Sequence, residues 1–299
     1  MISQNIKKIF YLANYAFKAK ISAKYRTPLL CSFKITYRCN LKCLHCPFWS
    51  NPRPAAMEPD KAEDLLQKLF LKGIRLVIFE GGEPLLYPAI GQMVEKAKKL
   101  FFSVGITTNG TLDLGKADPD IYFISIDGLK DVHESIRGKS FDLIMENIRT
   151  YRHKKIIANI TISSLNHKQI KPLIEYLQDK VYGITIQFFY PFPGIEELQL
   201  TAEQRMSAMD TLIALKRKGC SILDSHTCLQ KMKDNSWRCH DFLIASVEPD
   251  GSIHFGCYLK HRLEVYYCRL CGYAVHCEAS SAYDLAPGAL KTAKRIFLD

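Results

Sequence analysis

From residue 30 onward the chain alternates short apolar runs with segments of helical periodicity, a pattern that restricts it to a fold built on a parallel sheet. Leu30 to Thr36 reads as the first strand, and Arg75–Glu80, Ser103–Thr108, Ile121–Asp127, Ile156–Ile162 and Ile184–Tyr190 follow as five more. Between them Ala62–Leu71 (its start marked by Pro59 and Asp60), Ile90–Leu100, Phe141–His153 and Ile170–Gln178 repeat apolar residues at helical spacing, and Ala202–Lys218 makes a longer helix. Six β/α units are too few to close an eight-stranded barrel. The expected class is therefore α/β, an open, partial (β/α)6 barrel of the TIM type with a small cysteine-rich C-terminal domain. A length of 299 residues, 47% of them apolar, suits one large domain with an appendage. We divide the chain into a basic segment over 1–28, the barrel over 29–219 and a C-terminal module over 220–299.

Chemistry in such folds collects where parallel strands end. The first strand runs into Cys39-Asn40-Leu41-Lys42-Cys43-Leu44-His45-Cys46, three thiols at C-x3-C-x2-C spacing on one loop. Three soft thiolates there can hold three irons of a cubane cluster and leave the fourth open; structural or zinc-binding cysteines are the alternative. Past the second strand comes Gly81-Gly82-Glu83-Pro84, in which two residues without side chains let the backbone approach a ligand and Glu83 offers an acceptor. Thr108-Asn109-Gly110 ends the third strand; Ser125 and Asp127 end the fourth, on one face of it by the period-two rule. Arg137 follows twelve residues after Ser125, a fork suited to a carboxylate. Turn chemistry is the plainer reading of Asn109-Gly110 and Asp127-Gly128. Strand placement came from periodicity alone, so the position of every motif at a strand's C-terminal end is independent support.

The cysteine triplet, Gly81-Gly82-Glu83-Pro84, Thr107-Thr108-Asn109-Gly110, Ser125-Ile126-Asp127-Gly128, His133 and Arg137-Gly138, in that order, resemble the radical S-adenosylmethionine (SAM) enzymes from about Leu29 to Tyr190. The resemblance implies a [4Fe-4S] cluster on Cys39, Cys43 and Cys46 with SAM on its open iron. It also implies a SAM site drawn from Gly81, Gly82, Glu83, Thr108, Asn109, Ser125, Asp127 and Arg137. Glu83 is expected at the methionine amino group and Arg137 at its carboxylate. Phe48 is expected to pack on the cluster or the adenine, and His45 to be a solvated loop residue. The implied reaction is reductive cleavage of SAM to a 5′-deoxyadenosyl radical that attacks a substrate C–H or unsaturated carbon, with a reduced flavodoxin or ferredoxin as donor.

After residue 220 the β/α rhythm stops and Cys239, Cys257, Cys268, Cys271 and Cys277 form a second group, with a hairpin turn at Glu248–Ile253 drawing Cys239 towards Cys257. The group resembles the auxiliary-cluster modules of the same enzymes, SPASM or the shorter twitch form, and implies an auxiliary [4Fe-4S] cluster; a zinc site is the competing reading. Cys31 reads as a small buried apolar residue.

Net charge is +11, and residues 1–30 carry six basic residues and no acidic one. Ile6, Ile9, Phe10, Ala13, Ala16 and Phe17 recur at helical spacing, so the segment is a basic amphipathic helix, either packed on the barrel or resting on a membrane surface. No apolar run reaches the roughly 18 residues of a membrane span. No nucleic-acid module accompanies the charge. Thiols grouped for metal binding rather than for disulfides point to a reducing cytoplasm. A peptide or protein is the first expectation for the substrate. A membrane lipid or isoprenoid is second, on the basic helix and the apolar run Gln187–Pro193, and a non-catalytic iron–sulfur or zinc protein is third.

Overall fold

A computed structural model describes residues 2–50, 56–151 and 155–299. Helix α1 (Ile2–Ile21) leads into β1 (Leu30–Thr36), α2 (Pro59–Leu71), β2 (Leu76–Gly81), α3 (Ile90–Leu100), β3 (Ser103–Thr108) and β4 (Ile121–Ser125). Then come α4 (Lys130–Arg137), α5 (Phe141–Thr150), β5 (Ile156–Ile162), α6 (Ile170–Leu177), β6 (Gly183–Phe188) and α7 (Ala202–Arg217). The C-terminal part holds α8 (His226–Met232), β7 (Ile244–Val247), β8 (Ile253–Phe255), α9 (Ala274–Tyr283) and α10 (Pro287–Phe297).

The sheet has eight strands in the order β6-β5-β4-β3-β2-β1-β7-β8, parallel throughout except for β8. The first six form the expected open barrel. β1, β3 and β5 fall on the residues expected for them, because each is an apolar run cut off sharply by turn residues. Helix α5 stops at Thr150, and residues 152–154, where its expected end falls, lie outside the described residues. Core packing follows the pattern of the helices: Leu65, Leu66 and Leu69 of α2 and Met93, Val94 and Ala97 of α3 join Phe33, Ile35, Val77 and Phe79 in one buried cluster.

Two features go beyond the sequence reading, which left the partner of the C-terminal hairpin open and gave α1 either to the barrel or to a membrane surface. The hairpin of the C-terminal segment adds to the barrel's own sheet, with Leu30 to Phe33 paired in parallel to Ile244 to Val247. And α1 lies across the N-terminal ends of the strands. Tyr11 donates to the Gly73 carbonyl ahead of β2 at 3.3 Å, and Lys8 to the Phe102 carbonyl ahead of β3 at 2.7 Å. No helix among the described residues is long and apolar enough to cross a membrane.

Candidate iron–sulfur and SAM site

The cysteine loop is aimed by backbone crossing. Gly82 N–H donates to the Thr36 carbonyl at 2.7 Å and Glu83 N–H to the Arg38 carbonyl at 2.8 Å, so the end of β2 grips the chain leaving β1. A Cβ on Gly81 (φ +137°) would collide with the Thr36 carbonyl, and one on Gly82 would lie 2.6 Å from the Tyr37 oxygen and closer to that of Arg38. The close approach that these glycines allow is to the cysteine strand itself. Further along, Leu44 N–H donates to the Ile136 carbonyl of α4 at 2.9 Å, fixing the loop's far side.

Glu83 is wholly buried. Its Oε1 accepts from Leu85 N–H at 3.0 Å and from the Thr108 hydroxyl at 2.7 Å; Oε2 accepts from Asn109 N–H at 2.7 Å. Three of the roughly four acceptor positions of a carboxylate are thus filled from within. Burial raises its pKa against those bonds, which lower it. The side chain's principal job is to lock the end of β3 to the end of β2. Asn109 carries the lock onward: its Nδ2 donates to Asn40 Oδ1 at 2.8 Å and stands 4.0 Å from the Cys39 sulfur, while its Oδ1 accepts from Thr111.

A second knot forms past β4. Asp127 is buried with Oδ2 accepting from Arg137 Nε at 2.5 Å and Oδ1 from Thr161 N–H at 2.8 Å. Burial opposes its ionisation, but Arg137 beside it prevails and holds its carboxyl below the usual range. An Arg137 Nη lies 3.8 Å from the Cys43 sulfur. His133 accepts from Asp127 N–H through Nδ1 at 3.3 Å. The Ser140 hydroxyl donates to the Gly138 carbonyl, so His133 Nε2 carries the proton shared with Ser140; burial lowers its pKa to about 4 and keeps it neutral. Ser125 closes β4 opposite Asn159.

One expectation is corrected: His45 is not solvated. Its ring is tucked 3.7 Å from Asp127 Oδ2, and burial lowers its pKa to about 4. Phe48 stacks on Tyr37 at 6.2 Å, meets Phe192 edge-on at 6.0 Å and lies under the Arg262 guanidinium. The sequence placed it beside a ligand; the fold uses it as a wall between the barrel and the C-terminal module. Phe189, Tyr190 and Phe192, the aromatic run past β6, are buried in that wall with Leu259. The run that suggested a lipid is therefore packing.

The three loop thiols suit a soft metal group. Burial pushes the Cys43 thiol up to about 11 and raises that of Cys39, and the field of Arg137 opposes the shift at Cys43. Such thiols ionise when a cation takes the proton's place. In the C-terminal module Cys239, Cys257, Cys268 and Cys271 form a mutually interacting set, each within the electrostatic field of others, with Cys239 raised to about 11 and Cys271 to about 12 by burial. Arg205 of α7 donates to the Cys271 carbonyl at 2.9 Å, and Phe188 N–H donates to the Gly272 carbonyl at 2.9 Å. The second thiol set is thereby docked at the C-terminal end of β6, the same end of the sheet as the first. Sequence reasoning missed His276, whose Nδ1 is 3.9 Å from the Cys239 sulfur.

Cys277 is not brought to that set. It is fully buried in the main core, its thiol directed at the Cys228 carbonyl at 3.9 Å. The fifth thiol belongs to α9's inner face, a consequence of helical geometry that a C-x2-C-x5-C spacing does not reveal. Cys31 is buried, as expected.

The profile of the Radical SAM superfamily matches residues 33–179. The antilisterial bacteriocin subtilosin biosynthesis protein AlbA of Bacillus subtilis is 30% identical over 52% of this chain and 39% of its own length. The mycofactocin maturase MftC of Mycolicibacterium smegmatis is 26% identical over 62% of this chain and 52% of its own. The chain thus spans about half or less of these relatives. Among solved structures, Streptococcus suis SuiB bound to precursor peptide SuiA superposes with a TM-score of 0.67 at 16% identity, over 85% of this chain and 65% of that one. Motifs, profile and fold agree: the chain belongs to the radical SAM superfamily.

Proposed function

We propose that this chain is a radical SAM enzyme that modifies a peptide or protein side chain. The observation that carries the reading is convergence: the loop thiols, the Glu83–Asn109 lock and the Asp127–Arg137 pair meet at the C-terminal ends of β1 to β4, and a second thiol set occupies the same end. Cys39, Cys43 and Cys46 would hold a [4Fe-4S] cluster. The end of β2, Ser125 and the Arg137 nitrogens not spent on Asp127 would hold SAM. Once bound and reduced by a flavodoxin or ferredoxin type donor, the pair supplies a 5′-deoxyadenosyl radical. Residues of this chain position SAM and exclude water, Asp127 by fixing the plane of Arg137 and Asn109 by restraining the Cys39 side of the loop. The peptide reading is supported by relatives whose names are those of a bacteriocin biosynthesis protein and a maturase, and by a structural neighbour bound to its precursor peptide.

Residues 220–299 are read as an auxiliary module with Cys239, Cys257, Cys268 and Cys271 as ligands of one further [4Fe-4S] cluster. A zinc ion on the same four thiolates is the competing reading, since a thiolate tetrad suits that metal too.

The test is anaerobic reconstitution followed by reduction with SAM and release of 5′-deoxyadenosine. Wild type is expected to release it and Cys39→Ala/Cys43→Ala/Cys46→Ala to release none. SAM turnover by the triple variant, or its absence from iron-loaded wild type, would sink the proposal.

A further inference from the structure

Helix α1 has two faces, and the fold uses one. Tyr15 and Ala19 are buried, and Tyr11 partly so, against Leu30, Leu243 and Tyr283 at the N-terminal ends of the strands. The opposite stripe holds Ile6, Phe10, Ala13, Phe17 and Ile21, at spacings of three and four residues, all exposed; Phe10 is 76% and Phe17 66% accessible. Lys7 and Lys18 border that stripe on one side and Lys20 on the other, every one exposed, and no acidic residue lies within residues 1–30. Large apolar side chains exposed to water between flanking lysines, on a helix whose other face is already anchored, match the chemistry of an anionic bilayer surface. Apolar groups enter the acyl boundary and lysines meet the phosphates.

We infer that α1 docks this protein on an anionic lipid surface with the mouth of the barrel turned away from it. Orientation follows from topology. α1 covers the end where strands begin, through Gly73 and Phe102, whereas both thiol sets lie where strands end. A docked molecule therefore presents its reactive end to the aqueous side. The basic helix, which suggested a lipid substrate, instead separates lipid from reaction centre by the thickness of the barrel.

Vesicle co-sedimentation of the reconstituted full chain tests the docking. Binding to vesicles containing phosphatidylglycerol, little to phosphatidylcholine alone, and release by salt are expected. Phe10→Ser/Phe17→Ser should lower partitioning at least about tenfold, and Lys→Gln at positions 7, 18 and 20 by about fivefold each. Iron content and SAM cleavage, with the altered side chains at the far end, should stay at wild-type level, so a failure here is separable from a failure of the proposed chemistry. Wild type that ignores anionic vesicles, or variants that bind as well as wild type, would overturn the inference. So would a wild-type dimer in sedimentation velocity that Phe10→Ser/Phe17→Ser dissociates, since a second copy would then own the stripe. Orientation is read with brominated lipids. Phe17→Trp fluorescence should be quenched, while that of the two native tryptophans, Trp49 on the cysteine-loop side and Trp237 in the C-terminal module, should not. Quenching of the native pair without quenching at position 17 would reverse the assignment.

Discussion

Arg137 donates through Nε to Asp127 at 2.5 Å, a buried ion pair beside the cysteine loop in which the anion fixes the cation's plane. Removing one partner of such a pair is costlier than removing both, because an uncompensated charge stays behind. Asp127→Asn should lose about 3 kcal/mol in urea denaturation, and Asp127→Asn/Arg137→Met should recover part of that without recovering SAM cleavage. Equal stability of the single variant and wild type would show that the pair is not holding the loop.

Glu83 offers a different test, because its three acceptor bonds are within the chain. In Glu83→Gln an amide N–H must face either Asn109 N–H or the donors of Leu85 and Thr108, a donor–donor conflict worth about 1–3 kcal/mol. Stability and iron retention should fall together, since Asn109 also tethers Asn40 of the cysteine loop. A variant of wild-type stability that lost only SAM affinity would mean that the carboxylate serves the ligand more than the fold.

Two glycines make a matched pair for the backbone-crossing argument. Gly82→Ala drives a methyl group into the carbonyls of Tyr37 and Arg38, which are backbone and do not swing aside, and should abolish iron loading. Gly194→Ala, at a positive φ that Gly82 does not have but with open space around it, should cost only about 1–2 kcal/mol and keep its iron. Similar iron content in the two would refute steric aiming of the loop.

The carboxyl of Asp224, buried and next to Glu278, is pushed up to about 8, chiefly by burial. A carboxyl raised in the folded state binds its proton there at pH values where the unfolded chain has released it. The stabilising term is complete below about 4 and lost as pH rises through about 8, at up to about 1.4 kcal/mol per pH unit. Asp224→Asn keeps an acceptor for Ile186 N–H and should flatten the pH dependence of the urea midpoint between pH 5 and 8. An unchanged slope would place the titration elsewhere.

For the second thiol set, Cys277→Ala should retain all iron, whereas Cys239→Ala or Cys271→Ala should lose about half of it. Iron loss on Cys277→Ala would bring that sulfur back among the ligands.

The sequence carried the barrel because its strands are buried runs bounded by turn residues, a signal local enough to read by eye; β1, β3 and β5 needed no adjustment. The motifs of the candidate site were legible for the same reason, each being contiguous. Lost to it was the use of each side chain. Glu83, Asn109 and Asp127 spend hydrogen bonds on other segments of the site, Glu83 on Asn109, Asn109 on Asn40 and Asp127 on Arg137, partners 10 to 69 residues away. Strand β4 ends at Ser125, not Asp127, because Asp127 N–H turns to His133. Cys277 was misplaced by counting along the chain where the direction of a helix face decides.

The parallel pairing of β7 with β1 gives the C-terminal segment a place in the protein's ancestry as well as its architecture. The strand that launches the cysteine loop is interior, flanked by β2 on one side and by a strand from beyond residue 240 on the other. Deleting the last quarter of the chain would strip β1 of half its ladder and leave a raw edge next to the cysteine loop. The module is therefore no detachable cassette. Any lineage that exchanged it would have had to supply a replacement strand in the same register, so barrel and module are expected to have diversified together.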